Sequence, residues 1–234
     1  MDLQNKTILI TGASKGIGRA LAKMLAAKGA NLGLIARSGD ELLTLQTELS
    51  TLGVEVKIFV GSVADEAFVK SVVANYTQID AIVNNAGFGV FKQAENITTS
   101  EWDSIYDTNV KGTFLFCREI VPVMKANGGG HIINVASDVA KRVFDGGSLY
   151  CSSKYAQDAF SMALRKEVRK DGIKVSVVYS GLVDTHFHSR EEGDPHQSDY
   201  LTSQNMADAI TYILEAPKHV VIDELMIHPL SQEY

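Results

Sequence analysis

The chain has 234 residues, 45% of them hydrophobic, and a formal net charge of −6 at pH 7. That length suits one large α/β domain or two small ones, and so apolar a composition excludes a disordered chain. The acidic balance excludes a broad nucleic-acid-binding face, and two cysteines without C-x-x-C spacing, Cys117 and Cys151, exclude a disulfide framework or a cysteine zinc site.

The first apolar run, 7–10, reads as a strand and the pattern over 16–29 as a helix. Between them, in ITGASKGIGRA, Gly12, Gly16 and Gly18 follow a strand and open a helix. Backbone without Cβ turns tightly and comes close to a ligand, and the amides and dipole of a helix start favour a pyrophosphate. The spacing G-x-x-x-G-x-G is one residue looser than the usual dinucleotide loop, so a purely structural turn stays open. It is no Walker loop, because no Lys-Ser/Thr pair comes after the last glycine.

The second strand, 31–36, ends in LIARS. Dinucleotide folds place an acidic residue there for the ribose 2′-hydroxyl of NAD, or an Arg for the 2′-phosphate of NADP. Here Ala36 takes the acidic position, Arg37 comes next, and Lys15 lies in the glycine loop. Either cation alone reads as a solvated surface charge. Together with the missing acid they favour NADP(H).

Helical patterns over 38–52 and 64–77 flank a strand at 54–60, and a strand at 79–85 precedes a helix over 100–126. Asn109 sits inside that helix although asparagine is a poor helix former; it reads as a buried structural residue or as the holder of a proton-relaying water. The strand at 130–137 ends in Ser137, whose hydroxyl could donate to a substrate carbonyl or merely cap a turn. The helix over 148–171 opens with Tyr150 and Lys154 on one face, i and i+4. An ammonium beside a phenol favours the phenolate and lowers its pKa toward the range useful for acid/base work.

A strand at 173–180, a polar stretch at 184–204, a helix over 203–216 and a strand at 219–227 complete the chain. The polar stretch reads as a long loop near strand ends, a candidate lid over a substrate. Its His186 and His188 lack organised cysteine or carboxylate partners, so no metal is expected. Strands apolar on both faces, alternating with helices, predict a Rossmann-type doubly wound parallel sheet of about seven strands in one domain over 1–234. No signal-peptide pattern and no membrane-length apolar run is present, so a cytoplasmic protein that binds neither membrane nor nucleic acid is expected.

TGASKGIG (11–18), NNAG (84–87), Asn109, Ser137 and Tyr150-x-x-x-Lys154 appear in the order and approximate spacing of one family. The whole chain resembles the single-domain short-chain dehydrogenases/reductases, and more loosely their NADP-dependent alcohol dehydrogenases, carbonyl reductases and sepiapterin-reductase-like members. The resemblance implies a catalytic tetrad of Asn109, Ser137, Tyr150 and Lys154. Tyr150 would be the general acid in carbonyl reduction, Ser137 would orient the substrate oxygen, Lys154 would bind the nicotinamide ribose, and Asn109 would support a relay water. It implies cofactor contacts from Gly12, Ser14, Lys15, Gly16, Ile17 and Gly18 in the first turn, and from Arg37, Ser38, Ser62 and Val63 beyond the second and third strands. Asn85, Ala86, Gly87, Tyr150, Lys154, Gly181, Val183 and Thr185 would complete that surface.

Two departures stand out. Ser62 replaces the family's Asp or Asn, which would weaken adenine recognition. Ser180-Gly181 replaces the usual Pro-Gly, which would loosen the nicotinamide loop. Phe88, Phe91, Asp138, Phe144, Tyr179, Phe187 and the loop near 186–200 are expected to line a modest apolar substrate pocket. A homodimer or homotetramer through the two long helices is implied by the resemblance alone. The expected reaction interconverts a small carbonyl compound and its alcohol. The rival on the same fold is a non-catalytic NADP(H)-binding regulator, against which the complete tetrad weighs.

Overall fold

The computed structural model describes residues 2–185, 187 and 192–233. Apolar β-branched runs form β1 (Thr7–Thr11), β2 (Asn31–Ala36), β3 (Val56–Val60), β4 (Ala81–Asn84), β5 (Gly130–Val135), β6 (Ile173–Ser180) and, after a short pair β7 (Val183–Asp184) and β8 (Leu201–Thr202), β9 (Glu224–Ile227). Seven strands make one parallel sheet in the order β3-β2-β1-β4-β5-β6-β9, and β7 pairs with β8 apart from it.

Helices α1 (Gly16–Ala27), α2 (Gly39–Leu49) and α7 (Ser203–Glu215) bury Leu21, Leu25, Leu42, Leu45, Met206 and Ile210 on one face of the sheet. On the other face α3 (Glu66–Val73), α5 (Gly112–Ala126) and α6 (Ser148–Val168) bury Val69, Val72, Phe116, Ile120, Leu164 and Val168. The remaining helix, α4 (Thr99–Tyr106), starts at a reciprocal Thr98/Glu101 capping box. With helices on both faces, the strands need no polar face, which explains their unbroken apolar character. The order of connection reverses between β1 and β4, opening a crevice at the carboxyl ends of those strands.

Three boundaries differ from the sequence expectation. The helix expected over 100–126 is α4 and α5 joined by a π-helical turn, Asp107–Lys111, with Asn109 at its centre. The strand expected from residue 219 pairs only from Glu224: before it the Pro217 and Val220 carbonyls accept from Lys174 Nζ, and the Asp223 carbonyl is shared between Arg165 and the Val177 amide of β6. The 184–204 stretch holds β8 and a 3₁₀ turn, Pro195–Gln197, and β8 runs into α7 through a Thr202/Asn205 capping box. His186 and His188 lie outside the described residues. No helix among the described residues is long and apolar enough to cross a membrane.

A Cβ on Gly18 would lie 2.3 Å from the Gly12 carbonyl oxygen, which is backbone and cannot swing aside. Gly18→Ala is therefore expected to destabilise the fold by about 2 kcal/mol and to lower Tm by roughly 4–8 °C. Thermal unfolding by circular dichroism checks this, and an unchanged Tm would show that the turn and helix separate freely.

Candidate active site

Gly12 and Gly16 adopt left-handed φ of +67° and +52°, conformations that side chains with a Cβ rarely take. A Cβ on Gly12 would also sit 2.9 Å from Ala86 Cα. The turn is stitched to the loop after β4 by side chains: Thr11 Oγ1 accepts from the amides of Asn85 and Ala86, at 3.0 Å each. Asn85 Nδ2 donates back to the carbonyls of Thr11 and Gly12. Asn85 thus braces the turn as well as lining the cavity beside it. The first turn of α1 has no side-chain cap and no acidic residue, so its leading amides face an anion unopposed.

The cavity at this crevice measures about 740 Å³. One end is lined by Gly12, Ser14, Lys15, Gly16 and Ile17, and continues past Arg37, Ser38, Ser62 and Val63. Gly18 is not at its surface; it serves helix–turn packing. Arg37 is exposed and makes no ion pair among the described residues, whereas Lys15 pairs with Glu41 at 3.3 Å. Ser62 Oγ accepts from the Ala64 amide at 3.2 Å. Bare glycine backbone, an uncapped helix start, and Arg37 beside Ala36 in place of a carboxylate suit a dinucleotide bearing a 2′-phosphate.

The other end is lined by Asn85, Ala86 and Gly87, by Ser137, Tyr150 and Lys154, and by Gly181, Val183 and Thr185. Ser137 caps the 3₁₀ turn after β5; its Oγ donates to Asp138 Oδ1 at 3.1 Å or the Ser180 carbonyl at 3.3 Å, and accepts from Val139 N. Tyr150 stands in the first turn of α6, where its phenol shares the cavity lining with Ser137. Lys154 is 4% exposed, with Nζ donating to the Val135 carbonyl and to Gln157 Oε1, at 3.1 Å each. Its Nζ lies 5.8 Å from the Tyr150 ring centre.

Burial pulls the Lys154 ammonium down to about 8. Burial also pushes the Tyr150 phenol above its ordinary value; the Ser137 hydrogen bond opposes this, and the charges of Asp138 and Cys151 add to it. Among the protein groups around this phenol desolvation outweighs every other influence, so the lowering expected from the Lys154 ammonium does not appear in the protein alone.

Asn109 is wholly buried and does not line the cavity. Its Oδ1 accepts from Phe88 N, and its Nδ2 donates to the Phe88 carbonyl and to Ser153 Oγ. Its side chain therefore supports the wall of the site from behind.

At the substrate end, Phe91 meets Tyr150 edge-on at 5.4 Å between ring centres, Phe187 meets it at 5.5 Å, and Phe144 packs on Phe91 at 5.7 Å. Phe88 joins this wall. Tyr179 does not, which corrects the expected lining: it is 1% exposed, packs with Ala136 and Val177, and donates to Asp158 Oδ1 at 2.6 Å.

Asp138 lines the same cavity and gathers partners that no local sequence pattern signals. Its Oδ2 accepts from Arg142 Nε and Gln232 Nε2, at 2.8 Å each, and lies 3.4 Å from His228. The Gln232 Oε1 in turn accepts from Leu182 N at 2.8 Å, and a Cβ on Gly181 would fall 2.2 Å from that oxygen. With Gly181 N donating to the Ile227 carbonyl, the Ser180-Gly181 stretch is bound on both sides rather than loosened. Gln232 is some 50 residues from Leu182 in sequence, and no local pattern signals their meeting. Gln157 had a signal: a polar residue one turn after Lys154 on a face that α6 buries.

A family model described as short chain dehydrogenase matches residues 6–195. An uncharacterized oxidoreductase of Staphylococcus epidermidis is 33% identical over 230 residues, covering 97% of this chain and 99% of its own. Among solved structures, an alcohol dehydrogenase from the archaeon Thermococcus sibiricus, complexed with 5-hydroxy-NADP, superposes with a TM-score of 0.92 at 33% identity over 99% of each chain. A serine dehydrogenase complexed with NADP+ gives a TM-score of 0.89 at 28% identity, over 97% of this chain and 96% of that one. The sheet order, the glycine turn and these likenesses agree: the chain belongs to the short-chain dehydrogenase family of oxidoreductases.

Proposed function

We propose that the chain interconverts a ketone or aldehyde with its alcohol, using NADP(H) held along the crevice between Gly12 and Thr185. One observation carries the reading: the Tyr150 phenol, the Ser137 hydroxyl and the Lys154 ammonium share one cavity with the glycine turn. When bound, the nicotinamide supplies or accepts the hydride.

Ser137 is held by the turn that it caps, so turning its proton from Asp138 to a substrate oxygen needs only hydroxyl rotation. Tyr150 donates the proton that the new alkoxide needs. Its raised pKa keeps it protonated through the neutral range, the state that a general acid for reduction requires. The buried Lys154 ammonium offers a positive field and a hydrogen-bond donor beside the phenol, and Asn109 keeps the Phe88 segment in place. Arg37 and Lys15 hold the 2′-phosphate, with Lys15 exchanging Glu41 for it.

The aromatic wall of Phe88, Phe91, Phe144 and Phe187 favours an apolar carbonyl substrate, since Asp138 in the same lining already has Arg142 and Gln232 as partners. Phe114 on α5 and Tyr155 and Met162 on α6 are exposed, which supports assembly of copies through these two helices.

Tyr150→Phe should reduce kcat by about 10²–10⁴-fold, with NADPH affinity nearly unchanged by fluorescence titration. Near-full turnover would remove Tyr150 from the acid role. Arg37→Ala should weaken NADPH by about 10–100-fold, the loss of a charge-assisted contact, and leave NADH almost unaffected. Equal losses for both nucleotides would mean that Arg37 does not meet the 2′-phosphate.

A further inference from the structure

We propose that Gln157 is a positioning residue for Lys154, bracing its ammonium through a side-chain amide against the π-helical turn that carries Asn109. The inference rests on the reading of Lys154 as a catalytic group. Gln157 is 1% exposed and stands on α6 one turn beyond Lys154. Its Oε1 accepts from Lys154 Nζ at 3.1 Å, and its Nε2 donates to Thr113 Oγ1 at 3.0 Å. Thr113 Oγ1 donates to the Asn109 carbonyl at 3.1 Å. Asn109 Nδ2 donates to Ser153 Oγ, which donates to the Tyr150 carbonyl at 2.7 Å. The path leaves α6 at Lys154 and re-enters it at Tyr150, so the two groups of the proposed acid/base pair are tied to one turn of the neighbouring helix.

The orientation of the amide is set by proton counting. A threonine hydroxyl has one proton, and Thr113 gives it to Asn109, so Thr113 can only accept from Gln157. That places the Gln157 N–H group toward Thr113 and its oxygen toward the ammonium. The reversed amide would set N–H against N–H at Lys154 and oxygen against a lone pair at Thr113. An ammonium has three donors. The Val135 carbonyl and Gln157 take two, and the group lines the cavity with the remainder. An apolar residue at 157 would leave a second donor of a buried cation without an acceptor, a larger loss than that of a neutral hydrogen bond.

The charged and titratable surroundings of Lys154 are few. On α6 lies the Tyr150 phenol, with Cys151 beside it; Asp158 is engaged by Lys141 and Tyr179. The turn after β5 contributes Asp138, whose oxygens are taken by Ser137, Arg142 and Gln232. The loop after β4 approaches through Gly87, where a Cβ would be 3.6 Å from Nζ, and the π turn through the neutral Asn109. No carboxylate forms an ion pair with Lys154 among the described residues. Gln157 is therefore the one side chain among the described residues that accepts a hydrogen bond from this ammonium, beside the backbone carbonyl of Val135.

The test compares Gln157→Met, similar in length and without hydrogen bonds, and Gln157→Glu, which keeps an acceptor and adds charge, with the parent. For NADPH-dependent reduction, activity needing the ammonium is lost as pH rises through its pKa. The alkaline limb of kcat should move down by about half to one pH unit in Gln157→Met and up by about one unit in Gln157→Glu.

A second readout uses protein free of nucleotide. With its folded pKa at about 8, below the ordinary lysine value of 10.5, Lys154 lets stability rise as pH climbs from 8 toward 10.5. In Gln157→Met that rise begins at lower pH, so its Tm deficit against the parent should be largest below pH 8 and narrow above it. A limb that stays in place in both variants, with a pH-independent Tm deficit, overturns the inference and leaves Gln157 a packing residue. If Gln157→Met fails to fold, the limb of Gln157→Glu alone decides. Lys154→Met separates the two readings: full turnover in it defeats the catalytic reading of Lys154, whereas loss of turnover beside unmoved Gln157 variants defeats only the positioning role of Gln157.

Discussion

A lysine ammonium buried beneath the end of β5 is the constraint around which the polar interior of this protein is arranged. Removing a charge from water is unfavourable unless hydrogen bonds replace the lost hydration. Lys154 has those from the Val135 carbonyl and Gln157, and Gln157 in turn needs Thr113, which needs the Asn109 carbonyl. On α6 the buried Ser153, Gln157 and Ser161 belong to this network, Ser161 donating to the Gln157 carbonyl, while the buried Asp158 serves Lys141 and Tyr179. The same face continues to Asn134 of β5 through Ser161, and from Asn134 to Asn84 of β4. The helix behind the site and the strands beneath it are therefore joined by polar contacts as well as by core packing.

The π turn at Asn109 belongs to the same logic. Widening the helix there sets the Asn109 side chain against both backbone groups of Phe88 and against Ser153. An asparagine that weakens a regular helix becomes the joint between the β4 loop, α5 and α6. The substrate end is organised around a second buried acidic side chain, Asp138, gripped by Arg142 from its own turn and by Gln232 from the chain's last described stretch, with His228 3.4 Å away. Because Gln232 also holds Leu182, the substrate wall and the cofactor loop share one anchor.

Much of the fold could be read from residue order. Both-face-apolar strands alternating with helices pointed to the parallel sheet and its two helical layers, and the glycines marked the turn at the crevice. Tyr179 shows where such reading ends. It alternates correctly along β6, yet the face it occupies packs under the 3₁₀ turn after β5 instead of opening on the cavity. Strand periodicity assigns a side chain to a face and says nothing of what covers that face. Likewise, Lys154 and Tyr150 were seen as one helical face, but the depth of that face, and with it the upward shift of the phenol, depends on what packs above it.

By itself the sequence determined the features set by local spacing: the elements, the glycine turn, the missing carboxylate at Ala36 with Arg37 beside it, and the i, i+4 pairing of Tyr150 with Lys154. Tertiary structure alone decided which polar groups meet across long separations. Gln157 reaches Thr113 over 44 residues and Gln232 reaches Asp138 over 94. Periodicity is a property of neighbouring residues in one element, whereas burial and its electrostatic consequences arise only when separate elements exclude water from the same place.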